Sequence, residues 1–172
     1  MGCRMTRLYL VRHGETVDNA RQVMQGQMQG QLNETGYAQA HDVALSLRQV
    51  HFDAVVASDL RRSVQTAEII AATRGLDVVT TPLLRERDWG DFTGKYIPSL
   101  KGAEWPPNVE SLDRLMERAR LFLDFIRTNY PGQTVIAVGH GIVNKAIQAV
   151  YHNKLMRQVE RMQNCEVRVL DL

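Results

Sequence analysis

The sequence predicts an α/β fold, a three-layer sandwich in which helices flank a mainly parallel central sheet. Two patterns lead there: four short apolar runs of strand length, and segments of helical period in the gaps between them. Composition agrees, since 44% hydrophobic and 23% charged residues match ordinary globular usage and fit neither a disordered nor a fibrous class. With 172 residues, one domain spanning 1–172 is expected, its residues 1–5 forming a flexible leader.

Residues 6–11 read as the first strand, because Leu8, Tyr9, Leu10 and Val11 run together and end at the polar cluster Arg12-His13-Gly14. Asn33 caps a helix that turns Tyr37, Ala40, Ala44 and Leu47 inward, and His51-Phe52-Asp53 interrupts the pattern. Residues 54–57 resume as a buried strand. A helix over 60–74 follows, with Leu60, Val64, Ala67 and Ala71 on its apolar face and Gly75 closing it. Residues 77–80 give a third strand. Four of the five prolines fall in 82–108, where no period is sustained, so this is a long irregular segment of the kind that often carries function. Ser111 caps a helix with Leu112, Leu115, Ala119, Phe122 and Ile126 in register, stopped by Asn129-Tyr130-Pro131-Gly132. Strand 134–138 runs into Gly139-His140-Gly141 and a helix bearing Ile142, Ala146, Ala149 and Val150. Residues 166–172 alternate like an antiparallel edge strand.

A net charge of +2 without a basic block argues against nucleic acid as a partner. No apolar run reaches the length of a membrane span. Met1-Gly2-Cys3-Arg4-Met5-Thr6 fits a loose acylation pattern. The preferred reading is a short leader with Met5 as a second start, and no stable membrane association is expected. Cys3 and Cys165 form neither a disulfide framework nor a zinc motif, which favours a reducing, cytoplasmic setting. No HExxH, aspartate-rich loop or Cys/His cluster suggests a metal site. Monomer and homodimer both suit a chain whose last strand can stay at an edge or meet a second copy.

In open α/β sheets the ligand crevice lies beyond the carboxyl ends of the strands. Four segments follow strands here: Arg12-His13-Gly14-Glu15-Thr16, Ser58-Asp59-Leu60-Arg61-Arg62, Leu84-Arg85-Glu86 and Gly139-His140-Gly141. Singly, each is ordinary: Arg62 reads as a solvated helix face, Glu86 as a loop carboxylate. Together they would bring two imidazoles, two guanidiniums and a carboxyl group to one place. His41, His51 and His152 lack such a context.

The run Leu10-Val11-Arg12-His13-Gly14-Glu15-Thr16, with Asn19 after it, resembles the signature of the histidine phosphatase superfamily, which includes the cofactor-dependent phosphoglycerate mutases. Similar matches follow in family order: Gln25-Gly26, Leu32 with Gly36, Ser58-Asp59-Leu60-Arg61-Arg62 with Gln65-Thr66-Ala67, Leu84-Arg85-Glu86 with Gly90 and Gly94, and Val138-Gly139-His140-Gly141. The resemblance implies a phosphoglycerate mutase-like fold and phosphoryl transfer from a small phosphorylated substrate through a phosphohistidine on His13, with no cofactor and no metal. Arg12, Arg62 and His140 would cradle the phosphate, and Glu86 would serve as acid and base, with Asp88 in reserve. Asn19, Gln25, Gly26 and Gly141 would touch substrate, and backbone amides from Gly141 onward would add donors. Three positions depart from the family pattern: Gln29 stands where aspartate is frequent, Val109-Glu110-Ser111 replaces Gly-Glu-Ser, and Gly139 replaces a serine.

Family mutases carry a sizeable insertion after the Glu motif, whereas only residues 95–110 separate Gly94 from Ser111 here. A water-excluding lid is therefore lacking, which favours hydrolysis over mutase-type transfer. Lys95, Tyr96 and Lys101 are read either as pocket-mouth residues or as a solvated loop, and Trp89 and Trp105 either cap the site or anchor that loop. A catalytically weak member that binds phosphorylated ligands or proteins is the alternative of another class.

Overall fold

A computed structural model describes residues 4–172; the acylation pattern at Gly2 and Cys3 lies outside the described residues. Five strands form one sheet: β1 (Arg7–Arg12), β2 (Ala54–Ser58), β3 (Val78–Thr81), β4 (Thr134–Gly139) and β5 (Val167–Asp171). Their order is β3-β2-β4-β1-β5. The first four are mutually parallel and β5 runs antiparallel along β1 at the edge. The helices are α1 (Val17–Ala20), α2 (Glu34–Ser46), α3 (Arg61–Ala72), α4 (Leu112–Asn129) and α5 (Gly141–His152). This is the predicted three-layer α/β class.

Strand alternation feeds two cores. Leu8, Leu10, Val56, Val135 and Ala137 pack under α4 and α5 with Phe122, Ile126 and Ile147. Val11, Val55, Ala57, Ile136 and Val138 face the other way, under α2 and α3 with Val43, Ala67 and Ile70. Each buried Val, Leu, Ile or Phe among them contributes about 1.5–3 kcal/mol. Since both faces are covered, the strands read as apolar runs rather than as alternating patterns.

The helix faces differ from expectation at three places. Tyr37 is 40% exposed and Gly36 takes the inward position instead. On α3 the buried side holds Arg62, Ser63, Thr66 and Ile70, with Val64 only half-buried. This rotation turns polar side chains of the first turns toward the strand ends. Leu112, first in α4, is 48% exposed. The segment over 82–108 is irregular as expected, with short 3-10 turns at Pro82–Leu84, Gly90–Phe92 and Ile97–Leu100. Helix α1 was not expected; Thr16 and Asn19 close a capping box around its single turn.

The loop after β1 lies directly on the first turn of α2. Asn33 Oδ1 accepts from Gly36 N at 2.8 Å, and the Gly36 backbone abuts that of Gly14 and Glu15. A Cβ on Gly36 would overlap the Glu15 carbonyl. Gly36→Ala is expected to destabilise the fold by about 2 kcal/mol or more, read as a shifted urea midpoint. A shift below about 0.5 kcal/mol would contradict this packing.

Candidate active site

Neighbouring strands β1 and β4 deliver the two histidines. Arg12 pairs with Gly139 in the sheet register, and His13 N donates to Gly139 O at 3.1 Å. The chain leaves β1 toward the α2 side and β4 toward the α5 side, so the crevice opens at a topological switch point. There the imidazoles of His13 and His140 meet edge to face, with ring centroids 5.0 Å apart.

His13 is 3% exposed, and its Nδ1 lies 2.7 Å from Gly14 O. A carbonyl only accepts, so Nδ1 carries the proton. Burial, and after it the Arg62 charge, hold the His13 pKa well below the ordinary 6.5. The ring is thus neutral near pH 7 and Nε2 keeps its lone pair. His140, fully buried, is shifted the same way for the same leading causes. Its Nε2 is 3.1 Å from Ser63 Oγ, and its Nδ1 has no partner among the described residues.

Three guanidiniums surround this pair. Arg12 Nη1 donates to Met162 O at 2.8 Å. Arg62, 1% exposed, gives Nη2 to Gly26 O at 2.7 Å and Nη1 to Met28 O and Gln29 O. It is no solvated surface residue: the loop 26–29 holds it inward. Burial lowers both Arg pKa values to about 10, which leaves both charged at pH 7. The Nε atoms of both are buried without an acceptor among the described residues. Arg161, which sequence reasoning missed, lies with Arg12 over Gly141: a Cβ there would stand 3.0 Å from Arg161 Nε and 3.4 Å from Arg12 Nε.

Glu86 caps α5. Its Oε2 accepts from Ile142 N at 3.1 Å, and its Oε1 from Val143 N at 3.0 Å and Arg87 N at 2.8 Å. The amides expected to meet phosphate directly are therefore committed to this carboxylate, because the helix start has no capping side chain of its own. Arg118 fixes the Glu86 backbone by donating to the carbonyls of Leu83, Arg85 and Glu86 while pairing with Glu110 at 2.8 Å.

A cavity of about 270 Å³ joins these groups. Arg12, His13, Asn19, Gln25, Gly26, Arg62, Glu86 and Gly141, all singled out in the sequence, line it, together with Trp89. His140 is not in its wall and adjoins the site through the His13 ring. Asp88, Lys95, Tyr96, Lys101 and Trp105 are absent from the lining. Asp88 instead accepts from Gly90 N at 2.9 Å, and Trp105 backs Trp89 with centroids 5.6 Å apart. Beyond Arg161, the unforeseen lining residues are Val23, Met24, Ile97 and Ile142. Asn164 was also missed, though its side chain donates to His13 O at 3.0 Å. Only tertiary placement marks Arg161 and Asn164, since neither follows a parallel strand. Among the described residues no group of three or more His, Cys, Asp or Glu is arranged to hold a metal ion. No helix among them is long and apolar enough to cross a membrane.

Comparison with known proteins identifies the family and the fold. The family description "Histidine phosphatase superfamily (branch 1)" matches residues 8–172. A Yersinia pestis (strain Pestoides F) protein named as a probable phosphoglycerate mutase, GpmB, is 38% identical over 152 residues, covering 80% of this chain and 71% of that protein. The mycobacterial glucosyl-3-phosphoglycerate phosphatase complexed with VO3 is 29% identical with a TM-score of 0.86, covering 95% of this chain and 91% of its own. Bacillus stearothermophilus YhfR is 28% identical with a TM-score of 0.88, at 95% and 90% coverage. The chain belongs to the histidine phosphatase superfamily.

Proposed function

We propose that the protein is a metal-independent phosphomonoesterase that hydrolyses a small phosphorylated metabolite through a phosphohistidine on His13. The observation that carries this reading is a neutral, tautomer-fixed imidazole whose free Nε2 shares one cavity with Arg12, Arg62, Arg161 and Glu86. A phosphate dianion needs such a cradle, because its transfer depends on positioning and on stabilising charge at the equatorial oxygens.

In the first step His13 Nε2 attacks phosphorus, the P–O ester bond breaks, and the leaving oxygen takes a proton from the Glu86 carboxyl. In the second, water attacks phosphorus, Glu86 takes its proton, and the N–P bond breaks to release phosphate and His13. Oε2 of Glu86 has a single backbone partner, which leaves a lone pair for that proton. His140 braces the nucleophile.

Hydrolysis is preferred to mutase-type transfer because Lys95 and Lys101 do not line the cavity and the segment 95–110 is short. The glucosyl-3-phosphoglycerate phosphatase relative supports hydrolysis. The relative named as a phosphoglycerate mutase supports the second reading, which product analysis with 3-phosphoglycerate separates.

Rapid-quench labelling with a 32P-labelled monoester is expected to give acid-labile phosphate on His13, and His13→Asn should lose both label and turnover by at least about 10³-fold. A variant keeping most of its rate would remove His13 as nucleophile. Glu86→Gln should slow alkyl phosphates far more than p-nitrophenyl phosphate, whose leaving group needs little protonation; equal losses would take the acid role from Glu86. Turnover should persist in excess chelator. Because burial and the Arg charges disfavour its imidazolium, His13 should protonate only as pH falls well below 6.5. In 15N NMR at pH 6.5 its Nε2 should carry an unprotonated imidazole shift; an imidazolium signal there would refute a neutral nucleophile.

A further inference from the structure

The cavity has two chemically distinct parts. Cationic groups gather at the Gly141 end, where Arg12 and Arg161 flank one point. The rest of the lining is uncharged and mostly apolar, with Val23, Met24, Trp89, Ile97 and Ile142 beside the amides of Asn19 and Gln25. We propose, resting on the reading above, that the alcohol portion of the substrate is uncharged and apolar, and that this wall is what selects it.

The wall is a built feature. Residues 22–24 and 94–97 pair as a short antiparallel ribbon: Met24 N donates to Lys95 O at 2.9 Å, Gly94 N to Met24 O at 2.7 Å and Ile97 N to Gln22 O at 2.8 Å. The ribbon spends these backbone groups on itself and presents side chains to the cavity. Ile97 is held there although 44% exposed. Trp89 is kept in place by the Arg87 guanidinium 4.9 Å from its ring and by Trp105 behind it. Of the polar neighbours, the amide oxygens are engaged, Asn19 Oδ1 accepting from Thr16 N at 3.1 Å and Gln25 Oε1 from Thr16 Oγ1 at 3.0 Å, which leaves their NH2 groups as the uncharged donors of this wall.

Charge points the same way. Arg12, Arg62 and Arg161 are the cations that line the cavity, both histidines being neutral, and the phosphate dianion takes them. A carboxylate or second phosphate on the leaving group would face the apolar wall with no further cation lining it, an unfavourable placement for an ion. Sugar phosphates would set several hydroxyls against the same surface.

The test compares primary alkyl phosphates of similar leaving-group basicity. The kcat/KM for 2-phenylethyl phosphate should exceed that for glycerol 3-phosphate and for 3-phosphoglycerate by at least about tenfold, chiefly through KM. Ile97→Ser, at an exposed position, and Trp89→Ala should each shrink the phenylethyl-to-glycerol ratio at least about fivefold, while Ile97→Leu keeps it. A ratio near or below one, or one that Ile97→Ser leaves unmoved in a protein of native circular dichroism, overturns the proposal. If p-nitrophenyl phosphate is turned over while the alkyl ratio is one, the apolar-site inference alone falls. If no ester is turned over and His13 takes no label, the phosphomonoesterase reading falls with it.

Discussion

Parallel pairing of β1 with β4 places the two imidazoles of the candidate site. Arg12 opposite Gly139 puts His13 and His140 one residue beyond the paired ends, and the His13 N–H to Gly139 carbonyl bond extends the ladder by one rung. Because strand side chains alternate, slipping β1 by one residue would send its core set and His13 to the opposite face. The buried aliphatic residues on both faces of β1 and β4 oppose that slip, so the packing that stabilises the sheet also holds the site.

What the strands bring together is costly to bury. Two guanidiniums lie almost out of solvent beside two imidazoles, and desolvation is the leading influence on all four. Backbone carbonyls share the charge: Met162 takes Arg12, and Gly26, Met28 and Gln29 take Arg62. Neutrality of the imidazoles is the response of groups that can shed their charge where arginines cannot. The same surroundings that keep the arginines charged thus leave His13 Nε2 its lone pair. Among the described residues, nitrogens of Arg12, Arg62 and His140 stay unpartnered, a concentration of unsatisfied polar atoms that proteins tolerate mainly at functional sites.

The parts legible in the sequence were those whose signal is local. Strand ends followed by His, Arg and Gly announce themselves, because an apolar run must stop where chemistry begins. The rotation of α3 was not legible, since apolar spacing favoured Val64 while the site draws Arg62, Ser63 and Thr66 inward. Thr66 shows why: its hydroxyl accepts from Gly14 N at 3.1 Å and so supports the loop that carries His13. Arg161 and Asn164 precede an antiparallel edge strand, outside the rule that looks beyond parallel strands, and reach the site because Cys165 N bonds Arg12 O at 2.8 Å. Tyr37 fits the helical period yet lies outside, because its neighbour Gly36 occupies the position where only a backbone fits.

Two of the three departures from the family pattern, Gln29 and Gly139, resolve into scaffolding. Gln29 Oε1 accepts from Arg61 N at 3.0 Å, supplying the helix cap that Leu60 cannot give to α3, while its carbonyl holds Arg62. In Val109-Glu110-Ser111 only Val109 departs, and no side-chain contact explains it; Glu110, which keeps the pattern, anchors Arg118, which in turn grips the Glu86 segment. At Gly139 a side chain would overlap Asn144, which donates to Val11 O at 3.1 Å and fills that space from α5. The hydroxyl beside His140 comes from Ser63 on α3. None of the three lines the cavity. Gln29 and Gly139 therefore change how the cradle is braced, and the residues that set substrate preference must be sought in the ribbon and around Trp89, where the cavity wall is made.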